Sequence, residues 1–232
     1  MDTQLKLIQS NIGNEINVST KEINSMLKQV AALNEQIQEV EPNGYMPNDL
    51  YDARDVLIDK LNEYIPISIS TVASGGNALA IAEGSVTIKF GDVVLVEGDK
   101  YRKMQAQTSV GVEITGEDLN NMFSQYGITE LQRASVHEVA EKGNTVNFAN
   151  VTVNYSQLEV YKGKMSSLID AYGRENAADP TNPIGTYSEM IRNLDKLVTN
   201  FVTEFNTVHQ GGFALDGTQG EQFFSATNAA DF

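Results

Sequence analysis

The side chains in this sequence with the clearest capacity for chemistry are two histidines and a set of carboxylates. His137 and His209 stand far apart, and with no cysteine in the chain a zinc site would need both of them together with carboxylates. Surface or capping roles are the better reading, and His209 near the end of a helical stretch suits the negative end of a helix dipole. Asp49, Asp52, Asp55 and Asp59 recur three or four residues apart, a spacing that gathers carboxylates on one helix face where they could chelate a hard cation. The loop oxygens that normally complete such a site are not indicated. A solvated acidic face, partly balanced by Arg54 and Lys60, is expected instead. Asp216-Gly217-Thr218-Gln219-Gly220-Glu221 has half the look of a calcium loop, but its glycine and acidic offsets fit a turn and not an EF-hand. Ser74-Gly75-Gly76-Asn77 lacks the Gly-Lys-Ser/Thr ending of a phosphate loop and reads as a hairpin turn.

Nucleophilic chemistry finds no better support. There is no Gly-x-Ser-x-Gly elbow, no His-Glu-x-x-His pair and no clustered serine, histidine and aspartate. A hydrolase would have to rely on dispersed carboxylates such as Glu113, Glu117 and Asp118 converging in a cleft. No catalytic residue, metal or cofactor is therefore assigned. The net charge of -15 repels phosphate backbones and anionic headgroups, so neither nucleic acid nor a membrane surface is an expected partner. No apolar run reaches transmembrane length, and Asp2, Thr3 and Gln4 after Met1 do not open a signal peptide.

The elements that would position these residues fall into three stretches. From Asp2 to Glu39, Leu5, Ile8, Ile12, Ile16, Ile23, Met26, Val30, Leu33 and Ile37 recur at helical steps, with Gly13 and Val18 to Thr20 as places where the helix could break. The stripe is narrow, like a coiled-coil seam, and needs a partner helix. Glu41 to Pro47 turns the chain. A second helix follows, capped by Asn48 or Asp49 and burying Leu50, Ala53, Val56, Leu57, Leu61 and Tyr64. After Pro66 the period changes to two, with Ile65, Ile67 and Ile69 on one side. Strands are expected at Ala78 to Ala82, Val86 to Phe90, Val93 to Glu97, Tyr101 to Ala106, Val110 to Thr115 and within Thr145 to Asn154, with a short helix over Gly116 to Tyr126. Helical periodicity resumes from Ser156 to Tyr172. It returns from Tyr187 to His209, where a broad apolar face makes the best partner for the first helix. Phe213 to Phe224 reads as an irregular hairpin.

The expected architecture is α+β and multidomain. Residues 1–65 and 155–232 form an elongated helical rod, the second part ending in a hairpin-like loop, and residues 66–154 form an inserted β-rich domain. Tyr101 and Tyr126 would be candidate contacts if that insertion were a carbohydrate- or host-binding module, though aromatics in a β domain are usually core.

Asn34-Glu35-Gln36-Ile37, followed by Pro47-Asn48-Asp49-Leu50-Tyr51-Asp52-Ala53-Arg54-Asp55-Val56-Leu57, resembles the flagellar hook-associated protein 1 family. The stretch containing Phe201, Glu204, Phe205, Asn206, His209, Gly212, Leu215, Asp216, Gly217 and Phe223-Phe224 is similar to the same family's Phe-Asn-x-x-His segment and its Asp-Gly turn before paired aromatics. The resemblance implies a structural, non-enzymatic subunit of the bacterial flagellum at the junction of hook and filament. Its implied partners are the hook protein, a second junction protein (hook-associated protein 3) and like subunits in a ring. Family members carry terminal coiled-coil segments that these residues lack. The resemblance thus implies an outer core that stays monomeric, an export chaperone acting through the missing C-terminal segment, and secretion through the flagellar channel to an extracellular position without a cleaved signal. Asn48, Asp49, Leu50, Arg54, Asp55, Phe205, Asn206, His209, Asp216 and Gly217 become the candidates for structural motifs or subunit contacts. Arg54 with its acidic neighbours either meets another subunit or merely braces the helix hairpin.

Overall fold

The computed structural model describes residues 2–108, 112–114, 121–135, 151–155, 163–179 and 181–225. His137, Glu117, Asp118 and the first part of the helix expected from Ser156 lie outside the described residues, as does most of the segment from 110 to 120.

The apolar repeat at the start of the chain folds as one uninterrupted helix, α1 (Asp2–Val40), about 58 Å long at 1.5 Å per residue. Neither Gly13 nor the β-branched stretch breaks it, and the Thr20 hydroxyl donates 2.7 Å back to the Ile16 carbonyl. The positions it buries include Gln9, Gly13, Ile16, Thr20, Ile23, Leu27, Val30, Asn34 and Ile37. They alternate steps of four and three, the spacing of a coiled-coil seam. Ile8, expected on this seam, is 40% exposed.

A 3₁₀ turn (Glu41–Asn43) and Gly44 in the left-handed region reverse the chain into α2 (Asn48–Tyr64). The expected side-chain cap is not made. The Pro47 carbonyl accepts the Leu50 and Tyr51 amides, so Asn48 and Asp49 already lie inside the first turn. The buried face is also rotated from the expected one. Tyr51, Arg54, Ile58 and Leu61 turn inward, whereas Ala53 and Val56 face solvent. Arg54 causes the difference, because its charge finds partners inside the fold that a sequence pattern does not display.

Eight strands follow among the described residues: β1 (Ser68–Val72), β2 (Ser85–Phe90), β3 (Val93–Glu97), β4 (Lys100–Tyr101), β5 (Met104–Thr108), β6 (Phe123–Ile128), β7 (Gln132–Arg133) and β8 (Val151–Asn154). They make two antiparallel sheets, in the orders β1-β2-β3-β4-β7 and β5-β6-β8. Val93 to Glu97 forms the expected strand, and the expected Tyr101 to Ala106 strand divides between the two sheets. Ala78 to Ala82 is not a strand. It belongs to the 73–84 connection, which packs on the 3₁₀ turn through the Asn77 amide and the Pro42 carbonyl, 3.1 Å apart. The described end of the expected helix at Gly116 to Tyr126 is β6 instead, because pairing with β5 and β8 satisfies its backbone while Phe123 and Tyr126 meet edge to face at 4.9 Å. The alternation read at Ile65, Ile67 and Ile69 does not decide burial either. Ile65 ends α2 in the core, while Ile69 is half exposed.

The last described elements are α3 (Lys164–Tyr172) and α4 (Thr186–Gln210). One apolar core runs through α1 (Ile23, Leu27), α2 (Leu61), the larger sheet (Ile88, Val96), the smaller sheet (Phe123, Ile128) and α3 (Ile169). The observed class is the expected one, α+β with helical ends and an inserted β-rich region. The helix pairing differs: α1 packs chiefly along α2 and α3, and α4 meets it where Gln9 reaches Ser188. Lys6, Gln9, Ser188, Arg192 and Asp195 line one cleft where the two helices meet. Met190, Leu197, Phe201 and Val208 are left at least half exposed.

Leu27 belongs to the shared core and is fully buried. Leu27→Ala is expected to lower the unfolding free energy by about 2–5 kcal/mol. Because helices and sheets share that core, far-UV and near-UV circular dichroism should move together in one denaturant transition for both the parent chain and the variant.

Candidate functional site: amide clasps on the long helix

Three amide side chains of α1, the buried Gln9 and Asn34 and the half-buried Asn24, each hold a different part of the molecule. Asn34 Nδ2 donates to the Val86 carbonyl at 2.8 Å while its Oδ1 accepts the Val86 amide at 3.0 Å. The same Nδ2 lies 3.0 Å from the Gly98 carbonyl, in the turn between β3 and β4. The β2–β3 ladder extends only as far as Ile88, so the Asn34 amide stands where a strand's peptide group is missing. Asn24 does the same for the smaller sheet: its Oδ1 accepts the Met104 amide at 2.7 Å and its Nδ2 donates to the Met104 carbonyl at 2.8 Å. Met104 begins the edge strand β5, and Asn24 occupies that edge. Gln9 Nε2 donates to the Tyr172 carbonyl at 2.7 Å and contacts Ser188 Oγ at 3.3 Å, joining α1 to the end of α3 and the start of α4.

Around Asn34 a larger buried network closes the helix hairpin onto the sheet. Arg54, 2% exposed, donates through Nη1 to the Gly84 carbonyl at 2.6 Å and to Asn34 Oδ1 at 3.5 Å. Its Nη2 reaches Glu83 Oε2 at 2.6 Å, and its guanidinium lies 5.5 Å from the Tyr51 ring centre. Glu41, fully buried, accepts the Gly84 amide at 3.0 Å and the Tyr51 hydroxyl. Gly84 has φ +73°, and a Cβ there would stand 2.1 Å from the Val72 carbonyl oxygen, so only glycine lets the connection pass.

Burial alone would raise the Glu41 pKa, but the nearby Ser74 and Tyr51 hydroxyls, the Gly84 amide and the Arg54 charge outweigh it and hold the carboxyl below the ordinary glutamate value. Ser74 Oγ has no partner in bonding geometry, so the Tyr51 and Gly84 bonds are the firm part of that stabilisation. Tyr51 is pushed up, by burial first and by its bond to Glu41 second.

A further clasp closes the far end of α4. Asn206 Nδ2 donates to the Phe224 carbonyl and its Oδ1 accepts the Phe224 amide, both at 2.8 Å. His209 Nδ1 is 2.7 Å from the Glu221 carbonyl, and Phe205 packs against Phe223 and Phe224 with ring centres 5.1 and 5.3 Å apart. The returning chain crosses the helix end at Gly220, where a Cβ would stand 2.2 Å from the His209 carbonyl oxygen. At the tip, Asp216 accepts the Thr218 hydroxyl and amide, which hold its pKa below the ordinary value, and Gly217 takes a positive φ. Asp216-Gly217-Thr218 is thus a turn.

The ten candidate residues fall into two groups that no described hydrogen bond, ion pair or ring contact joins. Asn48, Asp49 and Asp55 are exposed on α2, Leu50 is half-buried, and Arg54 points away from them into the fold. Asn206 is buried, while Phe205, His209, Asp216 and Gly217 remain exposed to different degrees. Arg54 does not balance the acidic face of α2, because its partners are Glu83, Gly84 and Asn34. Tyr101 and Tyr126 are buried in the core and unavailable as glycan contacts. Glu113 is half-buried on a backbone bridge to Gln107. Among the described residues no group of three His, Asp or Glu could hold a metal ion, and no helix is long and apolar enough to cross a membrane.

Polar clasps lock the long helix to two sheets and to other helices within one α+β module. Residues 1–224 match the model of the flagellar hook-associated protein FlgK helical domain, and the chain belongs to that family. The flagellar hook-associated protein 1 of Bacillus subtilis is 34% identical over 95% of this chain, and that of Salmonella typhimurium 26% identical over 90%. The chain spans 39% and 30% of those two relatives' lengths. The flagellar hook junction protein FlgK of Burkholderia pseudomallei shares the fold, with a TM-score of 0.58 at 17% identity, over 95% of this chain and 32% of that one.

Two consequences are measurable. Arg54→Met would leave the Gly84 carbonyl and Asn34 Oδ1 short of a buried donor, for an expected loss of about 2–4 kcal/mol in denaturant titration, and Arg54→Lys should not restore it because an ammonium lacks the guanidinium fork. The depressed Glu41 pKa gives a stability contribution that is complete above the ordinary glutamate value and drains away as the pH falls through it toward the folded value. Glu41→Gln should therefore flatten the acid limb of the stability–pH curve and lower stability at neutral pH.

Proposed function

We propose that this chain is the outer part of a structural subunit that joins hook to filament in the bacterial flagellum. The observation that carries this reading is the family match across residues 1–224, in agreement with a relative 34% identical over nearly the whole chain. In this reading the hook protein, hook-associated protein 3 and like subunits in a ring are the partners. Residues 66–154 face outward, and the protein reaches the flagellum through the export channel. It performs no catalysis, and these residues alone stay monomeric.

The open side of α4 favours an assembly role. Met190, Leu197, Phe201 and Val208 recur over five turns of one helix and are at least half exposed, and such a stripe calls for a packing partner. In the assembled subunit that partner is the longer chain that relatives possess, or a neighbouring copy. Exposed Asn48, Asp49 and Asp55 serve as contacts in the ring, while Arg54 and Asn206 hold the surfaces in shape.

The test restores the flanking sequence of the full-length protein and expresses it in a strain that lacks its own hook-associated protein 1. Filaments growing beyond the hook are the expected result; a stable, exported protein that supports none overturns the junction role. Leu197→Lys with Phe201→Lys should abolish most filaments while leaving the circular dichroism of the isolated chain unchanged, since both side chains are exposed there.

A further inference from the structure

The sequence holds one Asn-Gly pair, Asn43-Gly44, and it falls in the turn that joins α1 to α2. Asparagine is chemically labile, and before glycine it is most so. The glycine nitrogen attacks the asparagine Cγ, ammonia leaves and a five-membered imide forms. Water then opens the imide to aspartate or to isoaspartate, in which the backbone runs through the side chain. Nothing is oxidised or reduced, and water is the co-reactant. Glycine favours the attack because it has no Cβ to shield its nitrogen or restrict its rotation.

Asn43 is exposed, so water reaches it freely. Geometry, not burial, opposes the reaction. Asn43 Nδ2, the nitrogen that must leave, donates to the Glu39 carbonyl at 2.8 Å, which ties the carboxamide back over the last turn of α1. The Gly44 amide, the group that must attack, donates to the Glu41 carbonyl at 2.9 Å with the glycine at φ +82°. Both reacting groups are therefore engaged, each with a different carbonyl. The turn that holds them is itself docked. The Asn77 amide donates to the Pro42 carbonyl at 3.1 Å, and Glu41 is fully buried, where it accepts the Tyr51 hydroxyl and the Gly84 amide. Freeing Asn43 and Gly44 together means lifting the turn from the 73–84 connection.

We propose that Asn43 is a site of spontaneous deamidation gated by the helix hairpin: the docked turn withholds the reaction, the opened turn allows it, and the product closes less well than the parent. Aspartate at 43 has no donor for the Glu39 carbonyl. It also places negative charge at the C-terminal end of α1, where the helix dipole is negative and the last turn holds no basic residue. Isoaspartate lengthens the backbone by a methylene inside a 3₁₀ turn that is anchored at Glu41 and Pro42. The inference stands on the geometry of the turn, and not on the flagellar assignment.

The 232-residue chain is incubated at mildly alkaline pH in native buffer and, unfolded, in concentrated urea, beside a capped peptide spanning Glu41 to Met46. Deamidation at residue 43 is read by mass spectrometry and isoaspartate by enzymatic methylation. Asn43 in the native chain should react at least about tenfold more slowly than in urea or in the peptide, the ratio reporting how seldom the turn opens. Tyr51→Phe removes a partner of Glu41 without altering the reacting dipeptide, and should raise the native rate while leaving the rate in urea unchanged. Asn43→Asp should lower the urea unfolding midpoint by more than Asn43→Ala does. Equal rates in the native and unfolded chains, a native rate untouched by Tyr51→Phe, or an Asn43→Asp variant as stable as Asn43→Ala overturns the inference. The first comparison uses the parent chain alone, so it decides the gating even where a variant does not fold.

Discussion

A backbone N–H or C=O at the end or edge of a sheet needs a partner once a helix is laid over it, and the whole arrangement turns on how α1 meets that demand. An asparagine side chain carries the same donor and acceptor as a peptide group, so on a helix it can complete a strand that has no neighbour. Asn34 does this at the open end of the larger sheet and Asn24 at the edge of the smaller one. Without them the Val86 and Met104 backbones would lie against an apolar helix unpaired, at a cost of about 1–3 kcal/mol for each buried group. With them the helix that supplies the apolar seam also closes the sheets.

The seam by itself does not fix position. A repeat of alternating four and three steps gives similar burial after a shift of seven residues, which is why coiled coils use single polar residues to set register. Gln9 and Asn24 each have one backbone address, at Tyr172 and Met104, and Asn34 has two, at Val86 and Gly98. A seven-residue slide would strand all three. Arg54 and Glu41 extend the same logic to the hairpin, tying α2 and the 3₁₀ turn to Gly84. Paired polar burial of this kind adds less to net stability than apolar packing would, and its main effect here is to admit one alignment of helices and sheets.

Much of this frame is legible in the sequence. The apolar steps along α1 and in α4, the turn at Glu41 to Pro47 and the strand at Val93 to Glu97 follow from periodicity and turn residues alone. The clasps on α1 are less so, because their main partners lie 52 to 163 residues away along the chain. A signal exists nevertheless: Gln9, Thr20 and Asn34 fall on the same four-three spacing as Ile16, Ile23, Leu27 and Val30. Polar residues in register with a buried seam announce buried bonds even when their partners are unknown. Arg54 defeats pattern reading for the opposite reason. Its neighbours Asp52 and Asp55 make it look like part of a charged face, and only the carbonyl of Gly84 and the Glu83 carboxylate draw it inward. Phe123 to Tyr126 reads as the end of a helix because the strands that pair with it, β5 and β8, lie outside any local window.

The far end of α4 repeats the asparagine device for a different purpose. Asn206 holds the Phe224 backbone by the same two bonds, but what it secures is a loop whose side chains mostly face water, with Phe213 76% and Phe223 60% exposed. Burial cannot be what keeps such a loop folded, so hydrogen bonds to the end of the helix do it: His209 and Gln210 hold Glu221 and Gln219. Ordering a loop before a partner arrives removes part of the conformational entropy that association would otherwise cost. The clasp therefore converts an exposed apolar surface on α4 and its return loop into a preformed one, and that property suits a part whose role is to be packed against.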